Sequence, residues 1–177
     1  MDKKVYILGG SFNPPHIGHI EICRHVLKRD RGSRIWVVPC LRHPFGKRLA
    51  PFEARLTMAR MSFFGMKGVF VSDVEKRLGG ISHTIRTIRY LKEKHPDWSI
   101  SLILGSDALL EKERWKEFDE ILKLAGVLEI KRGKGSPIPD VSSSEIREMI
   151  REGKDASRFL HPRVYSYILS HGLYLER

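Results

Sequence analysis

Little in this chain of 177 residues points to covalent or metal staples. It has 2 cysteines, Cys23 and Cys40, in unrelated settings and forming no C-x-x-C pair, so no disulfide framework is readable. No apolar run approaches the about 20 residues of a membrane-spanning helix, which argues against a membrane partner. The opening MDKKVYILGG lacks a secretory pattern, so the expected location is the cytoplasm. No segment repeats and none is of low complexity. Acidic residues are in deficit: 21 Asp and Glu stand against 32 Lys and Arg, a net charge of +11. Such a balance favours anionic partners, nucleic acid among them. The basic pairs Lys28-Arg29, Lys47-Arg48 and Lys131-Arg132 lie far apart, however, with no RNA-binding aromatic motif, zinc finger or basic tail. Phosphate-rich small substrates and a solvated basic surface account for the charge, and nucleic acid is not expected as a partner.

What is present is the composition of a soluble globular protein, 41% apolar and 30% charged, most simply one domain over residues 1–177. The organising stretch is VYILGGSFNPPHIGH, residues 5–19. Val5 to Leu8 has the length and β-branched content of a buried strand, which Gly9 and Gly10 should stop. Pro14 and Pro15 bar helix until His16, after which Ile20, Cys23 and Leu27 recur at helical spacing. His16 and His19 therefore fall one turn apart at a helix start. Cys23, on the apolar face of that helix, reads as a buried thiol. Glycines let the backbone approach a ligand, and unpaired N–H groups at a helix start attract anions. Two imidazoles there could bond a phosphate, so the spacing suggests a nucleotide site. Taken in isolation, the pair reads rather as capping or core histidines. A zinc site lacks a clear third ligand, and no His-Glu-x-x-His is present.

Further along, strands are expected at 34–39, 69–71, 100–104 and 127–130. Helices are expected from the Phe52, Leu56, Ala59, Phe63 face, at 82–94 and at about 108–124. Cys40 to Pro51 is a basic loop with His43, Lys47 and Arg48. After the Gly/Pro-rich linker 133–140, a helical tail over about 141–177 begins with a capping box of Ser142 and Glu145 and has a helix stop at Gly153. Pro162 opens a last helix, closed by Gly172. Alternating strands and helices imply a doubly wound parallel sheet, α/β in class, with this helical tail. Ligands of such sheets bind beyond the carboxyl ends of the strands. The loops after strands one, two and four share that edge.

GGSFNPPHIGH resembles the signature of the nucleotidylyltransferase superfamily, with its His-x-Gly-His loop. Ser82-His83-Thr84, Gly105-Ser106-Asp107, Trp115 and Val141-Ser142-Ser143-Ser144-Glu145-Ile146-Arg147 follow in the order of the nicotinate (or nicotinamide) mononucleotide adenylyltransferases of NAD synthesis. The resemblance implies a Rossmann-like fold and direct transfer of AMP from ATP to nicotinate mononucleotide, with no enzyme-bound nucleotide. It assigns His16 and His19 to the ATP phosphates, and implies ATP contacts by Gly9, Gly10, Ser11, Phe12 and Gly18. ATP enters as its Mg²⁺ complex, so no dedicated carboxylate cage is expected. A homo-oligomer is left open.

Residue chemistry agrees with these assignments. Ser142, Ser143 and Ser144 offer hydroxyls and N–H groups at a helix start, and Arg147 can match the charge of a triphosphate. Gly105 permits close approach and Asp107 can accept from ribose hydroxyls, although a plain helix cap would look the same. Arg132, after the fifth strand, would flank the adenine. Thr84 and Trp115 resemble the pyridine pocket, where an indole stacks on the ring; plain core is the alternative for Trp115. The resemblance further implies that backbone N–H groups around Thr84, Trp115 and Lys116 meet the pyridine carboxylate, and N–H donors favour the acid over the amide. Lys47 or His43 would add charge to the site, the sequence leaving open which, with a solvated basic loop as the alternative. Asn13 stands where relatives usually have Asp. Phosphopantetheine adenylyltransferases and cytidylyltransferases are the nearest alternatives, an RNA-binding module of the same fold the more distant one.

Overall fold

The computed structural model describes residues 3–131 and 135–175. Five parallel strands form one sheet in the order β3-β2-β1-β4-β5. They are β1 (Lys3–Gly10), β2 (Arg34–Pro39), β3 (Val69–Val71), β4 (Trp98–Gly105) and β5 (Gly126–Ile130). The first strand is central, pairing Val5 with Arg34 on one side and with Ile100 on the other. Its side chains alternate between two cores, as a period of two requires. Val5 and Ile7 pack on one face with Ile85, Ile88 and Leu91, while Tyr6 and Leu8 pack on the other with Ile22, Cys23 and Val26. The sheet is thus covered on both faces, the doubly wound arrangement that alternating elements imply.

The helices are α1 (Ile17–Arg29), α2 (Phe52–Phe63), α3 (Val74–Leu78), α4 (Thr84–Lys94), α5 (Ser106–Leu110), α6 (Phe118–Leu124), α7 (Ser143–Arg151) and α8 (Pro162–Ser170). None is long and apolar enough to cross a membrane. Helix α2 is buried on two sides: Phe63 joins the sheet core, and Met58 joins a third core of Val141, Ile146, Ile150, Val164 and Ile168. The C-terminal helices therefore reach the sheet through α2. The tail's boundaries follow local chemistry. Ser142 Oγ accepts the Glu145 N–H at 3.2 Å, and the Glu145 carboxylate accepts the Ser142 N–H at 2.7 Å. Beyond α7, Gly153 at φ 69 donates to Ile150 and Lys154 donates to Met149, closing the helix with a left-handed residue.

Three expectations are corrected, and one helix is added. The two glycines do not stop β1; its pairing continues to Gly10, opposite Pro39. Helix α4 begins at Thr84, not at Ser82, whose side chain accepts the Leu41 N–H at 2.7 Å instead. The single helix over 108–124 is interrupted between Leu110 and Phe118. Residues 111–117 read EKERWKE, with one apolar side chain, so no buried stripe holds that part helical. Glu117 turns the chain at φ 54, tied by its carboxylate to Arg89 at 2.6 Å. Helix α3, unheralded by periodicity, is short and buries Val74 and Glu75.

Cys23 is fully buried, and burial pushes its thiol up to about 12. Cys40 is half-buried and also raised by burial. Both thiols are therefore neutral at pH 8, and Cys23 is inaccessible as well. An aromatic disulfide reagent at that pH should leave Cys23 unmodified in the native protein and titrate both thiols after denaturation. Rapid native labelling of Cys23 would contradict this packing.

Candidate active site

Two groups of residues meet at the carboxyl edge of the sheet. The first surrounds the turn from β1 into α1. Phe12 occupies the left-handed region at φ 48 and is buried, its ring 4.9 Å from that of His19. A Cβ on Gly10 would lie 3.3 Å from the Phe12 ring, so that ring requires a glycine or a shift. His16 is the residue preceding α1 and is only 3% exposed. Its N–H donates to His19 Nδ1 at 3.1 Å, and the His19 N–H donates to the His16 carbonyl at 2.9 Å. Because Nδ1 of His19 accepts, its neutral imidazole carries the proton on Nε2. The two rings lie 3.8 Å apart, and a Cβ on Gly18 would press to 3.0 Å from the His16 ring.

Helix α7 docks on this turn across more than a hundred residues of sequence. Arg147 donates from Nη1 to the Asn13 carbonyl at 2.8 Å and from Nη2 to Ser144 Oγ at 3.1 Å. Ser143 Oγ donates to the Pro14 carbonyl at 2.8 Å. The hydroxyl and N–H of Ser142 hold the Glu145 carboxyl below the usual range. His16, His19, Phe12, Gly18, Ser142, Ser143, Ser144 and Arg147 thus gather on one side.

The second group lines a cavity of about 510 Å³. Gly9, Gly10 and Ser11 form one wall, and Thr84, Trp115 and Lys116 contribute another. Lys47 and His43 both line it, so the basic loop reaches in with two residues. Burial first, then Lys47 and Arg114 nearby, depress the His43 imidazole below its ordinary value. Trp115 is half-buried and meets Phe118 edge-on at 5.9 Å. Gly105 and Asp107 are outside the lining, at the end of β4 and the start of α5; Asp107 is exposed. Arg132 lies outside the described residues. Among the described residues, no three His, Cys, Asp or Glu gather as a metal site.

A model of the cytidylyltransferase-like family matches residues 7–149. A probable nicotinate-nucleotide adenylyltransferase of Anaeromyxobacter dehalogenans (strain 2CP-C) is 36% identical over 181 residues, covering 97% of both chains. One from Bacteroides fragilis (strain YCH46) is 33% identical, over 94% of this chain and 91% of its own. The chain belongs to the nicotinate-nucleotide adenylyltransferase family. The fold agrees: a Plasmodium falciparum nicotinic acid mononucleotide adenylyltransferase complexed with NaAD superposes at a TM-score of 0.82. It is 25% identical, and 97% of each chain is covered.

Two parts of the site escape the sequence reading. Arg55 on α2 is 1% exposed, yet donates to four carbonyls: Ser11 and Cys40 at 2.8 Å, Ala50 at 2.9 Å and Leu41 at 3.2 Å. It ties the loop after β1 to the loop after β2. Its position three residues after Phe52, on the inward side of α2, is the one sequence signal that could have found it. Glu75 is buried at the cavity and accepts the Thr87 hydroxyl, a pair with no sequence signal at all. Arg55→Met should keep the stem's packing but strand the four carbonyls. An unfolding free energy lower by about 3 kcal/mol or more is expected, with Arg55→Lys intermediate. Urea denaturation measures this, and an unchanged midpoint in the Met variant would deny Arg55 its role in holding the loops.

Proposed function

We propose that this protein transfers AMP from Mg-ATP to nicotinate mononucleotide, giving nicotinate adenine dinucleotide and pyrophosphate for NAD synthesis. The observation that carries this reading is the convergence of Gly9, Gly10 and Ser11 with Thr84, Trp115 and Lys116 in one cavity, beside the His-x-Gly-His helix start. A phosphate oxygen of the mononucleotide attacks the α-phosphorus of ATP. The new P–O bond forms as the bond to the β-phosphate bridge breaks, and pyrophosphate leaves with that oxygen. Such a transfer needs alignment and charge stabilisation, not a covalent nucleophile. Magnesium travels with the triphosphate as part of the substrate.

In this reading the turn group holds ATP. His19 donates from Nε2 to the phosphates, and His16, just before α1, fixes its orientation through the N–H that bonds His19 Nδ1. Gly9, Gly10, Ser11, Phe12 and Gly18 bring the backbone to the nucleotide, and the start of α7, with Ser142, Ser143, Ser144 and Arg147, faces the triphosphate. Arg147 also braces the Asn13 carbonyl, so it shapes the loop as well as adding charge. Gly105 and Asp107 serve the adenosine side, Asp107 from an exposed position suited to a ribose hydroxyl. Arg132 is assigned to the adenine by resemblance alone. The cavity takes the pyridine nucleotide: Trp115 stacks on the ring, Lys47 meets the phosphate, and N–H groups near Thr84, Trp115 and Lys116 meet the carboxylate.

The direct experiment supplies Mg-ATP with nicotinate mononucleotide, nicotinamide mononucleotide, phosphopantetheine or a tRNA, and follows pyrophosphate. Release with the pyridine mononucleotides alone is expected; release with phosphopantetheine alone would move the protein to another branch of the superfamily. His19→Ala should lower kcat about a hundredfold or more in a folded protein, since it removes a donor to developing charge. Activity within threefold of the parent would remove His19 from the reaction. The acid mononucleotide should exceed the amide in kcat/KM by about ten- to a hundredfold, because a carboxamide turns its own donors against N–H groups. Equal kcat/KM values would refute this pocket assignment and leave adenylyl transfer intact.

A further inference from the structure

The chain after α8 returns to the turn that precedes α1. Tyr174 donates its phenolic O–H to Asn13 Oδ1 at 3.0 Å, across 161 residues of sequence. The same oxygen accepts the Ala50 N–H at 3.0 Å, while the Asn13 carbonyl accepts from Arg147 at 2.8 Å. Asn13 is 3% exposed, so its one side-chain oxygen is a buried junction between the phosphate-side turn, the basic loop and the C-terminal segment. Tyr174 reaches it from the left-handed region, at φ 68, where a side chain is strained. A non-glycine residue keeps such a backbone only where its contacts outweigh the strain, and these residues cluster at functional sites. Burial raises the phenol above its ordinary range, with the Arg147 and Arg55 guanidiniums opposing, so the hydroxyl stays protonated and donates at any working pH.

We propose that Tyr174 is a positioning residue for adenylyl transfer: through Asn13 its hydroxyl fixes the backbone that presents His16 and His19. The role rests on the adenylyl-transfer reading. Without the hydroxyl, Asn13 Oδ1 retains the Ala50 donor, and the turn is free to shift toward it. A small displacement of phosphate donors costs rate out of proportion to its size. Neither Tyr174 nor Asn13 lines the 510 Å³ cavity, which the junction touches only through Ala50 at the end of the basic loop, so the larger effect falls on ATP.

The test compares the parent with Tyr174→Phe, Asn13→Ala, their double variant and Asn13→Asp, varying each substrate with the other saturating. Tyr174→Phe should lose about five- to tenfold in kcat/KM for ATP, per folded molecule, with KM for nicotinate mononucleotide within about twofold. Adding Tyr174→Phe to Asn13→Ala should cost nothing more, because the acceptor is already gone. Asn13→Asp keeps an acceptor oxygen and should retain the parent's ATP kinetics. Unchanged ATP kinetics in Tyr174→Phe, equal losses toward both substrates, or additive losses in the double variant would overturn the role. Should Tyr174→Phe fail to fold, Asn13→Ala against Asn13→Asp decides, and equal ATP losses in those two overturn it. A parent that forms no dinucleotide from these substrates would instead overturn the reaction, and this role with it.

Discussion

A single buried guanidinium sets the geometry on which the site depends. Burying an unpaired cation is costly enough that proteins rarely do it, and arginine cannot escape by losing its proton. Arg55 meets that cost by giving its donors to the carbonyls of Ser11, Cys40, Leu41 and Ala50. Those carbonyls belong to two loops that no strand pairing holds together. Burial disfavours the charge, and the four carbonyl dipoles oppose that effect. Lysine could supply the charge but not a planar fork spanning several carbonyls, so the fixed loop geometry is a property of arginine.

A second set of long-range contacts completes the arrangement from the other end of the chain. Ser143 and Arg147 bond to the Pro14 and Asn13 carbonyls, while Tyr174 bonds to the Asn13 side chain. The apolar side of α7, with Ile146 and Ile150, packs with Met58 of α2 in the third core. Helix α2 therefore carries Arg55 to one side of the turn and supports the docking of α7 on the other. Distortion of α2 would reach both groups of site residues at once, although none of its residues lines the cavity.

The regular part of this architecture was legible because it rests on local periodicity. Strands 34–39 and 69–71 and the face of α2 have the bounds that their apolar patterns give, and the capping box at Ser142 is local chemistry. Short motifs also marked residues that the fold brings together, as with Gly9, Gly10 and Trp115, which line one cavity. What local pattern cannot show is a bond between distant segments. Arg55 reads as one of many basic residues in a basic chain. The Glu75–Thr87 pair depends on α3, whose five residues are too few to display a period. The break at 111–117 was missed because helix-forming Glu, Lys and Arg masked the lack of a buried face.

The same long-range geometry sets the environments of the basic groups in a chain of net charge +11. Charge alone would attract any anion, nucleic acid included. At this cavity the basic groups are sorted by environment. Lys47 and Lys116 are exposed at the lining. His43 is more enclosed, with burial and the neighbouring Lys47 and Arg114 disfavouring its protonation; its Nδ1 accepts the Phe45 N–H at 3.1 Å. It thus shapes the basic loop as a neutral acceptor and leaves Lys47 as that loop's cation at the cavity. Arg114, at the other side of the lining, lies 4.0 Å over the Phe45 ring and is also paired with Glu111 at 2.8 Å. Phe45 is therefore held from within its own loop by His43 and from across the cavity by Arg114. Glu75 lies buried at the same lining, where it accepts the Thr87 hydroxyl. The acceptor proposed above, with its phosphate near Lys47 and its ring beside Trp115, would use both the exposed and the enclosed part of this lining, whereas an extended polyanion would have to forgo the enclosed contacts.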